Sequence, residues 1–180
     1  MHFKSILVSA VTFTISFIPF TVASPASEPC TLPQDLQREV SARYPKAKVV
    51  SLVDLEEDDR KFFKADHHDN CPGLVKVDFY GDGKPTLAFI LIMQGDARDH
   101  VQLVVAHLVG NTWETTNLDT GGAGTDVPVV WSEPPGQYQD VYGNKTLRSS
   151  RPVIVFRKYE SWGILYAWTG RRVSKIWIAD

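Results

Sequence analysis

Residues 74–93 constrain the fold more than any other stretch. Leu74 to Tyr80 alternates modestly, Gly81-Asp82-Gly83-Lys84-Pro85 interrupts, and Thr86 to Met93 then runs Thr-Leu-Ala-Phe-Ile-Leu-Ile-Met. Successive side chains of a strand point to opposite sides, so an unbroken apolar run bounded by turn residues predicts a strand covered on both faces. A chain built around such a strand must supply one apolar layer above it and another below.

The neighbouring segments read as its partners. Val101 to Val109 is a second interior strand, joined to the first by the polar turn Gln94 to Asp99. Gly110-Asn111 is a two-residue hairpin signal, after which Thr112 to Leu118 returns as a strand carrying Trp113. Lys48 to Asp54 reads as a further strand. The C-terminal part is β again over Val153–Tyr159, Gly163–Thr169 and Arg172–Ile178, with turns at Glu160-Ser161-Trp162 and Gly170-Arg171.

Helical periodicity is confined to the first third. Thr31 with Gln34 has capping-box spacing, and Leu32, Leu36, Val40 and Tyr44 repeat every four residues before Pro45 stops the pattern. A second, short solvated helix is predicted around Glu57 and Lys61, which have the favourable i,i+4 order, with Phe62 or Phe63 facing inward. These elements predict an α+β fold, an N-terminal helix packed on a largely antiparallel sheet of about seven or eight strands. Between Asp119 and Pro152 the pattern breaks at Gly121-Gly122-Ala123-Gly124, Pro134-Pro135-Gly136 and Gly143. Apart from Val127 to Trp131, so long a connection is expected to be irregular, and it is a candidate binding segment.

The first 23 residues have the form of a secretory signal: Lys4, an uncharged apolar run from Ile6 to Phe20, and Thr21-Val22-Ala23 with small residues where cleavage occurs. Residues 24–30 form a Pro/Ser linker and 31–180 one α+β domain, with no membrane span expected after cleavage. In the periplasm or outside the cell, Cys30 and Cys71 are expected to pair. In the chain-entropy view that bond stabilises the fold by roughly 4 kcal/mol.

The formal net charge is −2, one more negative without Lys4, which argues against a nucleic-acid partner. The charge is nevertheless segregated. From Val101 to Asn144 there are acids and no Lys or Arg, whereas Lys145 to Lys175 holds eight bases and the single acid Glu160. Alternation places Arg157 and Tyr159 on one strand face and Ile154, Phe156 and Lys158 on the other. Trp162, Tyr166, Trp168, Arg157, Arg171 and Arg172 are the candidate binding residues, because Trp, Tyr and Arg most often anchor interfaces.

Asp66-His67-His68-Asp69 does not have metal-ligand spacing, since adjacent histidines diverge on either a strand or a helix. There is no Gly-x-Ser-x-Gly, His-Glu-x-x-His or phosphate-loop motif. The chemistry therefore points to a small exported binding protein, inhibitor- or immunity-like, whose partner is a protein or an envelope component. An envelope glycan module using Trp162, Tyr166 and Trp168 as stacking platforms is the alternative.

Asp78-Phe79-Tyr80-Gly81-Asp82-Gly83-Lys84-Pro85-Thr86 resembles the Asp-x-Asn-x-Asp-Gly calcium loops of FG-GAP and VCBS repeats. Asp78, Asp82 and Gly83 match, while Tyr80 and Thr86 stand where that pattern places further oxygen ligands. The resemblance implies weak calcium binding by Asp78 and Asp82, and a calcium-stabilised structural domain as a third reading. It occurs once, so it implies no propeller; no other cofactor is expected.

Overall fold

The computed structural model describes residues 30–93, 100–121 and 126–180. The signal and most of the linker (residues 1–29), the turn Gln94 to Asp99 and the centre of the Gly-rich stretch lie outside the described residues.

Among the described residues two α-helices and eleven strands are formed: α1 Gln34–Arg43, β1 Ala47–Val49, α2 Glu57–His67, β2 Leu74–Lys76, β3 Thr86–Met93, β4 Val101–Val109, β5 Thr112–Gly121, β6 Val129–Glu133, β7 Gly136–Gln139, β8 Thr146–Ser149, β9 Val153–Lys158, β10 Trp162–Trp168 and β11 Val173–Ala179. The first sheet has the order β1-β3-β4-β5, with β2 pairing the same edge of β3 further along its length. The second sheet runs β11-β10-β9-β6, and β7-β8 is a separate hairpin. All pairings are antiparallel.

The molecule is layered around β3 as its apolar run requires. Ala88, Ile90 and Ile92 face a large core shared with Leu103 and Val105 of β4, Val130 of β6, Ile154 and Phe156 of β9, and Ile164 and Tyr166 of β10. Leu87, Phe89 and Leu91 face the opposite way, toward Leu36 and Val40 of α1 and Trp113 of β5. A third cluster behind the second sheet unites Val153, Val155, Leu165 and Ile176 with Leu147 of β8. The expected α+β class is thus overturned. The principal core lies between two sheets, α1 is one outer layer, and the β7-β8 hairpin covers the other outer face.

The stretch Asp119 to Pro152, expected to be irregular apart from Val127 to Trp131, contains the end of β5, has β6 overlapping that exception and extending two residues past it, and also forms β7 and β8. The β7-β8 hairpin is hidden in the sequence because β7 is short and polar and shows no clean alternation, while Pro134-Pro135 marks the corner between β6 and β7. Helix α1 likewise begins later than expected. Pro33 occupies the N-cap with no side-chain cap bond, so Thr31 does not cap. The predicted strand Lys48 to Asp54 shortens to β1 and a 3-10 turn at Leu52–Asp54, where Asp54 accepts from the Ser51 amide and hydroxyl.

The disulfide Cys30–Cys71 forms, with its Cα atoms 5.1 Å apart. It ties the approach to α1 to the segment entering β2. Among the described residues no helix is long and apolar enough to cross a membrane.

Candidate functional site

The two sheets meet along two seams of different construction. On one, backbone closes the gap: Val130 N–H of β6 donates at 2.8 Å to the carbonyl of Pro72, two residues before β2. On the other seam side chains bridge β5 to β10 and β11. The Tyr166 hydroxyl donates to the Asp119 carboxylate, and Lys175 Nζ lies 2.8 Å from the same oxygen.

The strand register explains why these groups meet. Tyr166 is opposite Lys175 and Ile164 is opposite Trp177, so each pair shares a face of the sheet. Burial, then the bond to and negative charge of Asp119, push the Tyr166 hydroxyl well above the ordinary tyrosine range. Beside this bridge opens a hollow of about 320 Å³ lined by Asp119, Thr120, Phe156, Trp162, Ile164, Lys175, Trp177 and Asp180. Trp162 is half-buried and meets Phe156 edge-on at 5.0 Å, whereas Trp177 is 43% exposed.

At the other end of β10 lies a smaller, basic hollow of about 180 Å³, lined by Arg148, Ser149, Ser150, Arg151, Trp168, Thr169 and Gly170. Arg171 and Arg172 follow in the same turn and are exposed. Among the described residues, no carboxylate comes within 4.0 Å of the charged nitrogens of these four arginines. Trp168 itself is half-buried against Tyr80, with ring centroids 5.1 Å apart.

The six candidate binding residues are therefore not one patch. Trp162 and Trp168 occupy opposite ends of a strand whose rise per residue separates them by about 20 Å. Tyr166, between them, is 1% exposed and is no stacking platform. Arg171 and Arg172 follow Gly170 of the basic hollow without lining it, while Arg157 lies away from it with its Nε buried and without a hydrogen-bond partner among the described residues. The predicted alternation fails after β9 ends at Lys158: Tyr159 turns into the inter-sheet core and Glu160 has φ 55°. Lys158, on the inner face as expected, pairs with buried Asp59 and with Glu56. Burial disfavours its charge, but these two carboxylates win and hold its ionisation above the ordinary lysine range. Asp119, Lys175, Asp180, Arg148 and Arg151 line the two hollows and are not among the six candidate binding residues; the run of bases from Lys145 to Lys175 is the sequence signal for Arg148, Arg151 and Lys175.

The Asp78–Thr86 turn spends its carboxylates locally. Asp78 Oδ1 accepts from Gly83 N–H at 3.3 Å and Asp82 Oδ1 from Lys84 N–H at 3.1 Å. Asp82 Oδ2 lies 3.2 Å from His107 Nε2, and His107 Nδ1 lies 2.9 Å from the Thr86 hydroxyl. The Asp–His–Thr series has the order of a hydrolase relay, but Thr86 is fully buried and presents no nucleophile. Burial raises the Asp82 pKa, yet the Lys84 amide and the charges of His107 and Lys84 bring it below the ordinary carboxylate range. Tyr80 packs on His107, with ring centroids 4.5 Å apart. Two carboxylates already bonded to backbone, beside a lysine ammonium 3.7 Å from one of them, do not fit the six to eight oxygens of a calcium shell. No group of three or more His, Cys, Asp or Glu side chains suited to a metal is found among the described residues.

His67 lies elsewhere, between Phe63 and Trp131, with ring centroids 4.8 Å away on each side. Burial lowers its pKa, partly offset by the negative charges of Asp66 and Glu133. Compared with known families, with curated proteins and with solved structures, the chain matches none.

Proposed function

We propose that this is a small exported binding protein, inhibitor- or immunity-like, that uses the basic end of β10 to hold an acidic surface of a partner protein. The observation that carries the reading is that Arg148 and Arg151 line a hollow with the half-buried Trp168, that Arg171 and Arg172 follow it exposed in the next turn, and that none of the four has a carboxylate partner among the described residues. Arginine forks recognise carboxylates bidentately, and a neighbouring indole supplies the apolar contact such interfaces need. The disulfide is compatible with an oxidising, exported location. The glycan alternative is less favoured, because it relied on three stacking rings of which one is buried and the other two stand apart.

The test uses residues 24–180 to capture proteins from an envelope extract, beside a variant carrying Arg171→Glu and Arg172→Glu. One partner retained by the parent, lost by the variant and released as salt rises from 50 to 500 mM supports the reading. Equal retention by the variant, or a catalytic turnover by the parent, overturns it.

A further inference from the structure

The opposite end of β10 has the chemistry of a different ligand. The hollow at the side-chain seam presents two indoles, Trp162 and Trp177, the edge of Phe156 and two carboxylates, Asp119 and Asp180. Its cation, Lys175, is already engaged, with Nζ on Asp119 at 2.8 Å and 5.9 Å from the Tyr166 ring centroid. The inner wall thus holds one ammonium between a carboxylate and an aromatic face. Toward solvent lie a second carboxylate and indole, Asp180 and Trp177, both exposed; Asp180 Oδ2 accepts from the neutral Tyr142 hydroxyl, which leaves its negative charge uncompensated by a cation among the described residues.

We propose that this hollow binds an organic ammonium group, either a quaternary ammonium compound or a lysine side chain of a peptide. Indole is the strongest aromatic partner for a cation, and attraction grows when the cation is partly removed from water, as in a concave site. The charges of Asp119, Asp180 and Lys175 sum to a net negative value, which favours a cation over an anion and over a neutral sugar. Phe156 and Ile164 form an apolar floor that suits methyl or methylene groups beside the charge.

The test follows tryptophan fluorescence of the disulfide-bonded chain while tetramethylammonium is added, with N-acetyl-lysine amide in a second arm and neutral 3,3-dimethyl-1-butanol in a third. Saturable quenching by the first identifies a quaternary ammonium site, and saturable quenching by the second alone identifies a lysine site. Either result, with at least a several-fold weaker response to the neutral alcohol, supports the proposal. Trp177→Ala and Asp180→Asn, both at exposed positions, should each weaken binding roughly five- to ten-fold. Lys175→Met should strengthen it, because it releases Asp119 from its internal cation. Three results overturn the proposal: no saturable response to either cation, equal response to the neutral alcohol, or weaker binding in Lys175→Met.

Discussion

The two ends of β10 are built from one strand face and came out opposite. At the Trp162 end the polar groups arrive from β5 and β11, and the central carboxylate, Asp119, serves both a buried tyrosine and a lysine. At the Trp168 end Arg148 and Arg151 line the hollow and Arg171 and Arg172 follow in the next turn, and among the described residues none of the four has a carboxylate within 4.0 Å. The first set of charges is part of what closes the sheets together. The second is spare, and spare charge on a folded surface is where a partner has most to gain.

Asp119→Ala should produce the largest stability loss, because the buried Tyr166 hydroxyl loses its acceptor. The expected cost is about 1–3 kcal/mol. Arg171→Ala at the other end should stay within about 0.5 kcal/mol, as exposed substitutions do. Denaturant midpoints for the two variants check this, and equal losses would erase the distinction between a structural end and a free one.

Gly81→Ala should come next. Gly81 has φ 69°, and a Cβ there would lie 2.3 Å from Arg151 Nε. Left-handed backbone costs an L-residue roughly 1–2 kcal/mol, and Arg151 must shift as well. The variant therefore links the Asp78–Thr86 turn to the basic hollow, and partner capture should weaken along with stability. Unchanged capture in a destabilised Gly81→Ala protein would mean that Arg151 takes no part in the contact.

A pH scan sharpens the contrast with a smaller effect. The folded-state pKa of His67 is depressed, so below its unfolded value of about 6.5 the unfolded chain binds more protons. The stabilising contribution of neutral His67 is full above that pH and is lost as pH falls through the depressed folded value. His67→Phe should keep the stack between Phe63 and Trp131 and flatten the stability profile between about pH 7 and pH 5. The Asp119→Ala penalty should be unchanged across that window; a penalty that shrinks with pH would tie the seam to His67. Smallest of all, millimolar calcium should leave the melting temperature unmoved, because Asp78 and Asp82 are committed to their own turn. A clear rise would restore the calcium reading of the loop.

Much of the strand framework was legible in local pattern. Thr86–Met93 is buried on both faces, Gly110-Asn111 makes the hairpin, and the three C-terminal strands lie within a residue or two of their expected bounds. Glu57 and Lys61 form their i,i+4 pair at 2.9 Å, with Phe63 rather than Phe62 inward. The candidate site was legible only in its residue types. Nothing local indicated that Tyr166 would be sealed against Asp119, which lies 47 positions away. Tyr159 escaped its predicted face because alternation holds only while the strand continues, and this strand ends one residue earlier.

Periodicity reports how many faces of an element must be covered, since that depends on the side chains of the element alone. From it the sequence by itself determined the interior strands at Thr86–Met93 and Val101–Val109, the three C-terminal strands and one face of the first helix, while the two cysteines of a chain read as exported pointed to their pairing. What covers each face is settled by pairings between segments far apart in the chain, whose energies local pattern does not contain. Tertiary structure alone therefore decided that a second sheet lies across from β3, that one seam closes through backbone and the other through Asp119, and that a single aromatic strand ends in an acidic hollow on one side and a basic one on the other.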